Sequence, residues 1–509
     1  MNTNKMVSAH RRPIKNPKVV LVYPPNQSWP GTMCKPNGSL AYPNIGAALL
    51  EIGIEVEVFD AAVGNHRDDL KETFYQQDLL SSGLLKTGVS DERILQETAE
   101  ADIVGLTSIF TEQETMVLST ARLIKEAYPS KLIVAGGVNA RSRMTKFFAS
   151  GVDIVCLSEA ESAITKIVLE VRKGTRDFGK IPGIAYQQDG KLGFNPATHE
   201  DVVWDLDELP MPAWHLLPND RYWEIGRPHG GHFEHGETLA YASMMTSLGC
   251  VFACEYCHIA GETENSASGP IGRFRVKSDD RVLAELAELK RLGVKQVFVE
   301  DDTIFGMKRR AINLLRKIRG AGFNILDVNG VNLIHLFKKF EPDAEVIEAL
   351  MEAGFSEIVL PFESGSQRVI KKYATNKWDV ENHDTIGLLK LCKEYGLTVP
   401  GNFMIGYPDE TLEEINNTLD MARKLREAGL DSANMFLVMP LPGTPLFDMA
   451  IREGYLPRDF NPDKMNWAKA NMTNTPVPPE QLEEMRDKAW EELNDSAFVS
   501  YKQDMVVEA

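Results

Sequence analysis

Cysteine is scarce, with six in 509 residues, too few for a secreted disulfide scaffold. Basic side chains are outnumbered, 55 against 73 acidic, leaving a net charge of −18. That balance argues against nucleic acid or an anionic membrane surface as the main partner. No run of about 18 apolar residues occurs, so no stable membrane insertion is expected. The first 17 residues, with Lys5, Arg11, Arg12 and Lys15, lack the apolar segment of a signal peptide, and a cytoplasmic location is expected. There is no internal repeat of solenoid period and no low-complexity tract. What remains is ordinary for a soluble globular chain, 43% apolar and 25% charged. Its length suits about two to four domains.

Three of the six cysteines sit in one run, Cys250-Val-Phe-Ala-Cys254-Glu-Tyr-Cys257. The two cysteine pairs of a structural zinc site are absent. Three thiolates with no fourth partner nearby can hold three irons of a cubane iron–sulfur cluster and leave the fourth iron open to chemistry. The alternative is three unrelated buried thiols, which this spacing disfavours. Cys34, Cys156 and Cys392 are scattered and read as ordinary buried thiols.

Residues 17–175 alternate short apolar runs (Val19–Tyr23, Val56–Phe59, Ile103–Thr107, Leu132–Ala135, Asp153–Cys156) with helical patterns at Ile45–Ile52, Met116–Ala127, Ser142–Ala149 and Ala163–Val171. Such alternation predicts an α/β fold with a doubly wound, Rossmann-like parallel sheet. Asp68–Ala101 is long for a crossover, and its leucines and Phe74 predict an inserted helical segment. Residues 176–238, broken by six prolines, read as an ordered linker, after a flexible tail at residues 1–16. From residue 239 to 456 a second alternation predicts strands Tyr241–Met245, Gln296–Glu300, Ile325–Asn329, Ile358–Phe362, Thr398–Ile405 and Met435–Met439. Six strand–helix units predict a partial (β/α)6 barrel, with the cysteine loop at the carboxyl end of the first strand, where such folds place chemistry. Residues 457–509 predict a small C-terminal extension with a helix around Pro479–Leu493.

With the cysteine triplet after its first strand, the second domain resembles the radical S-adenosylmethionine (SAM) superfamily over residues 236–455. The resemblance implies a 4Fe–4S cluster on Cys250, Cys254 and Cys257 whose open iron chelates SAM. An external donor of the flavodoxin or ferredoxin type would deliver the electron that cleaves SAM to a 5′-deoxyadenosyl radical. It also implies SAM contacts. Tyr256 would stack beside adenine, unless it only packs in the core. One of Glu300, Asp301 and Asp302 would hold the SAM ammonium. Glu363 and Ser364, in Glu363-Ser364-Gly365-Ser366, would approach ribose and carboxylate. Ile405 and Gly406, opening Gly406-Tyr407-Pro408-Asp409-Glu410-Thr411, would line the adenine, or simply end a strand. Asn329 and Asn332 face the pocket or serve a turn.

The first domain resembles that of the cobalamin-binding radical SAM enzymes. The signs are Val22-Tyr23-Pro24-Pro25, Tyr42-Pro43-Asn44-Ile45-Gly46, Phe59-Asp60-Ala61, Gly105-Leu106-Thr107-Ser108, Ala135-Gly136-Gly137-Val138-Asn139 and Ser158-Glu159-Ala160-Glu161-Ser162. Cobalamin-binding residues implied are Thr107 and Ser108 at the corrin edge, Ser108-Ile109-Phe110-Thr111 below the ring, Gly136 and Gly137 beside the nucleotide tail, and Val138 and Glu159. The D-x-H-x-x-G signature is missing, since Asp60 is followed by Ala61-Ala62-Val63-Gly64. The resemblance implies cobalamin bound base-off, with no protein histidine on cobalt; the rival reading is a relic domain that binds nothing.

The resemblance implies a class B radical SAM methyltransferase. A methyl group would pass from one SAM through cobalamin to an unactivated carbon of a small-molecule substrate. A second SAM supplies the radical that removes hydrogen from that carbon. A phosphinate phosphorus is a rarer acceptor. The alternative on the same scaffold is an oxidative cyclase or ring-rearranging enzyme without methyl transfer. A methylthiotransferase would need a second cysteine set in the first domain, where only Cys34 and Cys156 are available. A cobalamin sensor or carrier leaves the cysteine triplet unexplained. Substrate contacts are open. His229, His232 and His235 either bind a metal or anionic substrate or form a solvated loop. Arg273 and Arg275 either meet an anionic group or pair with Asp279 or Asp280.

Overall fold

In the computed structural model, residues 14–32, 34–36, 38, 40–226 and 240–494 are described. His229, His232 and His235 lie outside the described residues. The run Val19–Tyr23 is buried throughout, as a strand covered on both faces must be. This strand, β1, pairs in parallel with β2 (Val56–Asp60) on one side and β3 (Ile103–Thr107) on the other. Two more parallel strands follow, β4 (Leu132–Gly136) and β5 (Ile154–Cys156). Side chains alternate between two cores. Val19, Leu21 and Tyr23 enter one, and Val20 and Val22 the other. Strand order reverses beside β1, so the carboxyl ends of β1 and β3 flank the crevice where doubly wound sheets take ligands.

Two more strands, β6 (Ile184–Gln188) and β7 (Lys191–Asn195), extend this sheet antiparallel. The expected linker thus begins with a hairpin of the first sheet. Its turn, Asp189-Gly190, has φ of +50° and +74°, the left-handed pair that suits a two-residue hairpin. Asp68–Ala101 is only partly helical. A turn at Lys71–Tyr75 leads into short strands Gln77–Leu79 and Leu85–Thr87, and only then the helix Asp91–Thr98. Leu70, Phe74 and Leu84 are buried, but Leu79 lies on the surface. The helix expected at Ser142–Ala149 is two short ones, Val138–Ser142 and Met144–Ala149, broken at Arg143.

The second domain is built from two parallel arcs. The first comprises β8 (Tyr241–Met244), β9 (Gln296–Val299), β10 (Asn324–Asp327) and β11 (Phe355–Glu357), and the second β12 (Leu360–Glu363), β13 (Pro400–Ile405) and β14 (Ser432–Leu437). The strand expected at Ile358–Phe362 is interrupted at its start: β11 ends at Glu357 and β12 begins at Leu360. The arcs join where Ile358 N–H donates to Thr398 O at 3.0 Å and Thr398 N–H to Ser356 O at 2.9 Å. The result is the partial barrel, with β14 as an open edge. Helices cover its outer face. In Asp279–Arg291, capped by Ser278, Val282, Leu286 and Leu289 face the core.

The C-terminal extension satisfies the β14 edge, which would otherwise expose unpaired backbone groups. Asn494 receives Ala433 N–H at 3.0 Å and donates to Ala433 O at 3.0 Å. Arg486 Nε donates to Met435 O at 3.0 Å. Leu437 N–H donates to Trp467 O at 2.8 Å. The extension also reaches the first domain. Asp463 accepts from Gln27 at 2.9 Å and Thr115 at 2.6 Å, and Arg143 lies 4.5 Å from the Phe460 ring centroid. Among the described residues no helix is long and apolar enough to cross a membrane.

Candidate active site

The cysteine loop leaves the carboxyl end of β8 and is fixed at its root by Asp301. That carboxylate accepts from Thr246 N–H at 2.6 Å, Thr246 Oγ1 at 2.7 Å and Ser247 Oγ at 2.5 Å. Cys250 and Cys257 are half-buried and Cys254 is buried. Burial pushes Cys250 up to about 11, and Asp302 and Cys254 add to the rise. Burial pushes Cys257 up to about 12, with Asp302, Cys254 and Cys250 adding. Protons therefore stay on these two sulfurs at neutral pH unless a positive centre displaces them, as a coordinating metal does. Phe252 N–H reaches Cys250 Sγ at 3.5 Å. Among the described residues no three His, Cys, Asp or Glu side chains close on a position for one metal ion. The donor set of three soft thiolates without a fourth fits an iron–sulfur cluster. Cys34, Cys156 and Cys392 are buried in the apolar cores.

The three acidic residues after β9 part company. Asp301 is buried and committed to Thr246 and Ser247, which removes it from the SAM candidates. Glu300 is half-buried, raised by desolvation, and accepts from Ser243 Oγ. Asp302 shares the space of the thiols. Burial pushes it up to about 6, opposed by His258 and reinforced by Glu262 and Asp301. Gly249 N–H donates to it at 3.1 Å.

Glu363 ends β12 with φ of +63°. Tyr256 Oη donates to its Oε1 at 2.8 Å, and Lys377 Nζ donates to the same oxygen at 2.7 Å. All three are largely buried, and Lys377 is only 4% exposed. Sequence reasoning missed Lys377, which belongs to no motif. The Ser364 hydroxyl is turned away, toward Thr418 at 3.2 Å, and accepts from Ser366 N–H at 3.1 Å. Its expected SAM contact is therefore not available to the side chain. Ile405 and Gly406 line a cavity of about 200 Å³ against the C-terminal extension. No residue of the cysteine loop lines it, and Gly406 N–H is taken by Glu410 at 2.6 Å. Asn329 is exposed, and its Nδ2 donates to Glu300 O at 2.6 Å, tying together the carboxyl ends of β9 and β10. His335, also unforeseen, packs 5.7 Å from the Phe252 ring in the cysteine loop. Burial pushes its imidazole down to about 4, with Lys308 adding, so it is neutral at physiological pH.

The first domain carries its own cleft at the carboxyl ends of β1 and β3, with an empty volume of about 410 Å³. Thr107, Ser108, Ile109 and Phe110 line it opposite Pro24 and Pro25. Ile109 is 39% and Phe110 52% exposed, apolar surface that a flat hydrophobic ligand would cover. Among the described residues no histidine lines this cleft. The Asp60 carboxylate is engaged by Tyr222 Oη at 2.8 Å and Ala62 N–H at 2.9 Å. Gly136 has open space beside it, whereas Gly137, at φ +100°, packs against Ser108 O, which a Cβ would meet at 2.4 Å. Gly137 thus serves close backbone packing rather than room for a nucleotide tail. Glu159 is also reassigned, since Arg275 Nη2 donates to it at 2.6 Å and joins the two domains. Val138 lies at the same junction, beside Gly443. Arg275 is thereby spent inside the protein, and Arg273 pairs with Glu264 at 2.8 Å.

Residues 244–422 match the family model of the radical SAM superfamily. An uncharacterized methyltransferase of Pyrococcus horikoshii is 28% identical over 456 residues, covering 89% of this chain and 86% of the relative. The cytidylyl-2-hydroxyethylphosphonate methyltransferase of Streptomyces wedmorensis is 26% identical over 503 residues, covering 90% and 87%. Among solved structures, the radical SAM methyltransferase TsrM of Kitasatospora setae, with tryptophan and a SAM analogue bound, aligns with a TM-score of 0.62 at 18% identity. It covers 86% of this chain and 77% of its own. At that identity the likeness speaks for the fold alone.

Proposed function

We propose that this enzyme, whose residues 244–422 match the radical SAM family model, is a cobalamin-dependent radical SAM methyltransferase acting on an unactivated carbon of a small-molecule substrate. The observation that carries the proposal is the pairing of two sites in one chain. A three-thiol loop stands at the carboxyl end of a barrel strand, and a cleft with exposed Ile109 and Phe110 stands at the carboxyl ends of a doubly wound sheet. Methyl transfer is preferred to cyclisation because both full-length relatives are named methyltransferases.

In this reading Cys250, Cys254 and Cys257 hold the cluster. Asp302 receives the SAM ammonium, being the carboxylate of the three that lies among the thiols. Tyr256 and Glu363 form the wall on the SAM side. Their mutual hydrogen bond fixes both side chains, which lowers the ordering cost of binding. Thr107 and Ser108 meet the corrin edge, and Ile109 and Phe110 exclude water from its lower face. Asp60-Ala61-Ala62-Val63-Gly64, where a D-x-H-x-x-G signature would carry its histidine, supports a base-off cobalamin without a protein ligand. When bound, the cluster with SAM supplies a 5′-deoxyadenosyl radical and the corrinoid supplies the methyl carrier. The protein contributes position, desolvation and charge. An ammonium docking beside Asp302 would offset the burial that raises its pKa and hold the carboxylate ionised. Asp301, Thr246 and Ser247 fix the root of the cysteine loop, and the Glu159–Arg275 pair ties the first domain to the strand-linked segment beyond that loop. A flavodoxin- or ferredoxin-type protein is the proposed electron donor.

The test is Cys254→Ala after anaerobic reconstitution with iron and sulfide. It is expected to lose the cluster absorbance and all SAM cleavage. Retained SAM cleavage would remove the cluster from the account.

A further inference from the structure

We propose that Lys377 and Thr375 are positioning residues that raise the reduction potential of the cluster from a strained turn beneath the cysteine loop. The inference rests on the cluster reading above. Helix Gln367–Tyr373 ends in a turn where Thr375 has φ of +56° and Asn376 of +52°. Two consecutive non-glycine residues in the left-handed region, one of them β-branched, are costly and persist only where surrounding contacts impose them. The contacts here come from the cysteine loop. Glu255 N–H donates to Tyr373 O at 2.8 Å, and Ala253 N–H donates to Thr375 Oγ1 at 3.2 Å. The Thr375 hydroxyl in turn faces Cys254 Sγ at 3.9 Å.

The turn delivers Lys377 into the interior, where Trp378 Nε1, donating to Phe362 O at 3.1 Å, locks the next residue. An ammonium has three donors. Among the described residues, Lys377 uses one, to Glu363. A buried cation with spare donors is expensive unless an anion meets them. The Glu363 oxygen it meets also accepts from Tyr256 Oη at 2.8 Å, and Tyr256 stands in the cysteine loop between Cys254 and Cys257, so the anion that fits is the thiolate- and sulfide-rich cluster. A counter-ion for Glu363 alone would need neither the strained turn nor the hydroxyl on Cys254. A nearby cation and a hydrogen bond to a ligand sulfur both favour the reduced, more negative cluster, and such contacts are what set these potentials.

The experiment is a redox titration followed by electron paramagnetic resonance on the reconstituted full chain, without SAM. Lys377→Met is expected to make one-electron reduction about tenfold less favourable, a midpoint lower by about 59 mV. Lys377→Arg, which keeps the charge, should stay near wild type. Thr375 is exposed, so Thr375→Ala tests the inference if Lys377→Met fails to fold. Its midpoint should fall, while Thr375→Ser should match wild type. Midpoints unchanged in Lys377→Met and Thr375→Ala overturn the inference while leaving the cluster in place. If SAM binding alone weakens in Lys377→Met, the inference is equally overturned and the lysine belongs to the SAM carboxylate. A wild-type chain that assembles no cluster defeats the cluster reading itself, and this inference with it.

Discussion

Replacing Gly137 with alanine puts a methyl group 2.4 Å from Ser108 O and 2.7 Å from Ser108 C, a contact with backbone that no rotamer change relieves. Two costs add. At φ +100° an alanine is strained by about 1–3 kcal/mol. Ser108 O must also retreat, yet it accepts from Asn139 N–H at 3.1 Å and Ala140 N–H at 3.4 Å. Weakening those bonds adds about 0.5–1.5 kcal/mol each. The expected loss is about 2–6 kcal/mol, read as a lower urea midpoint at unchanged slope. Because Ser108 also lines the cleft and is held by Asn139 Nδ2 at 3.0 Å, the same variant should bind hydroxocobalamin at least about tenfold more weakly. Gly136→Ala, whose Cβ would meet only Cys156 at 3.9 Å, should keep its stability. A Gly137→Ala protein as stable as wild type, with undiminished cobalamin binding, would refute the packing argument and the role of this loop together.

Asp302→Asn should weaken SAM binding to the reconstituted enzyme by about tenfold or more through loss of a charge-assisted contact, and equal affinity would return the ammonium to Glu300. Glu410 accepts from Gly406 and Tyr407 N–H and is pushed up to about 8 by burial, so its folded pKa lies above the unfolded value. The folded state then binds the extra proton, and stability should fall as pH rises from about 4.3 to about 8. Glu410→Gln should flatten that slope in urea titrations at several pH values, and an unaltered slope would contradict the assignment. Asn494→Ala, which removes both side-chain bonds to the Ala433 edge, should cost about 1–3 kcal/mol in thermal unfolding.

The features that could be read from sequence were those carried by short-range pattern. Val19–Tyr23 and Ile103–Thr107 are continuous buried runs, and their strands begin and end as expected. The second domain's strands were found with ends displaced, most at β14, which runs Ser432–Leu437 where Met435–Met439 was expected. The β6–β7 hairpin did carry a signal, Asp189-Gly190 between β-rich runs, but six prolines in the same stretch outweighed it. What stayed hidden depends on residues distant in sequence. Glu159 and Arg275 lie 116 positions apart, and each looked like a ligand contact until the fold paired them. Asp301 and Asp302 are indistinguishable in a string of three acids, yet one is consumed by Thr246 and Ser247 and the other faces the thiols. Lys377 has no motif because its meaning comes from Glu363 and from a turn whose left-handed residues are not glycine.

The central claim is that one chain carries methyl groups on cobalamin and generates radicals at a cluster. It is tested most directly by anaerobic reconstitution with iron, sulfide and hydroxocobalamin, followed by a strong reductant and methyl-deuterated SAM, with mass spectrometry of the recovered cobalamin. The account predicts cobalamin that copurifies with the chain and carries the deuterated methyl group. Bound cobalamin that never acquires the label would contradict methyl transfer in favour of cyclisation or rearrangement, and a chain that binds no cobalamin would contradict the role given to its first domain.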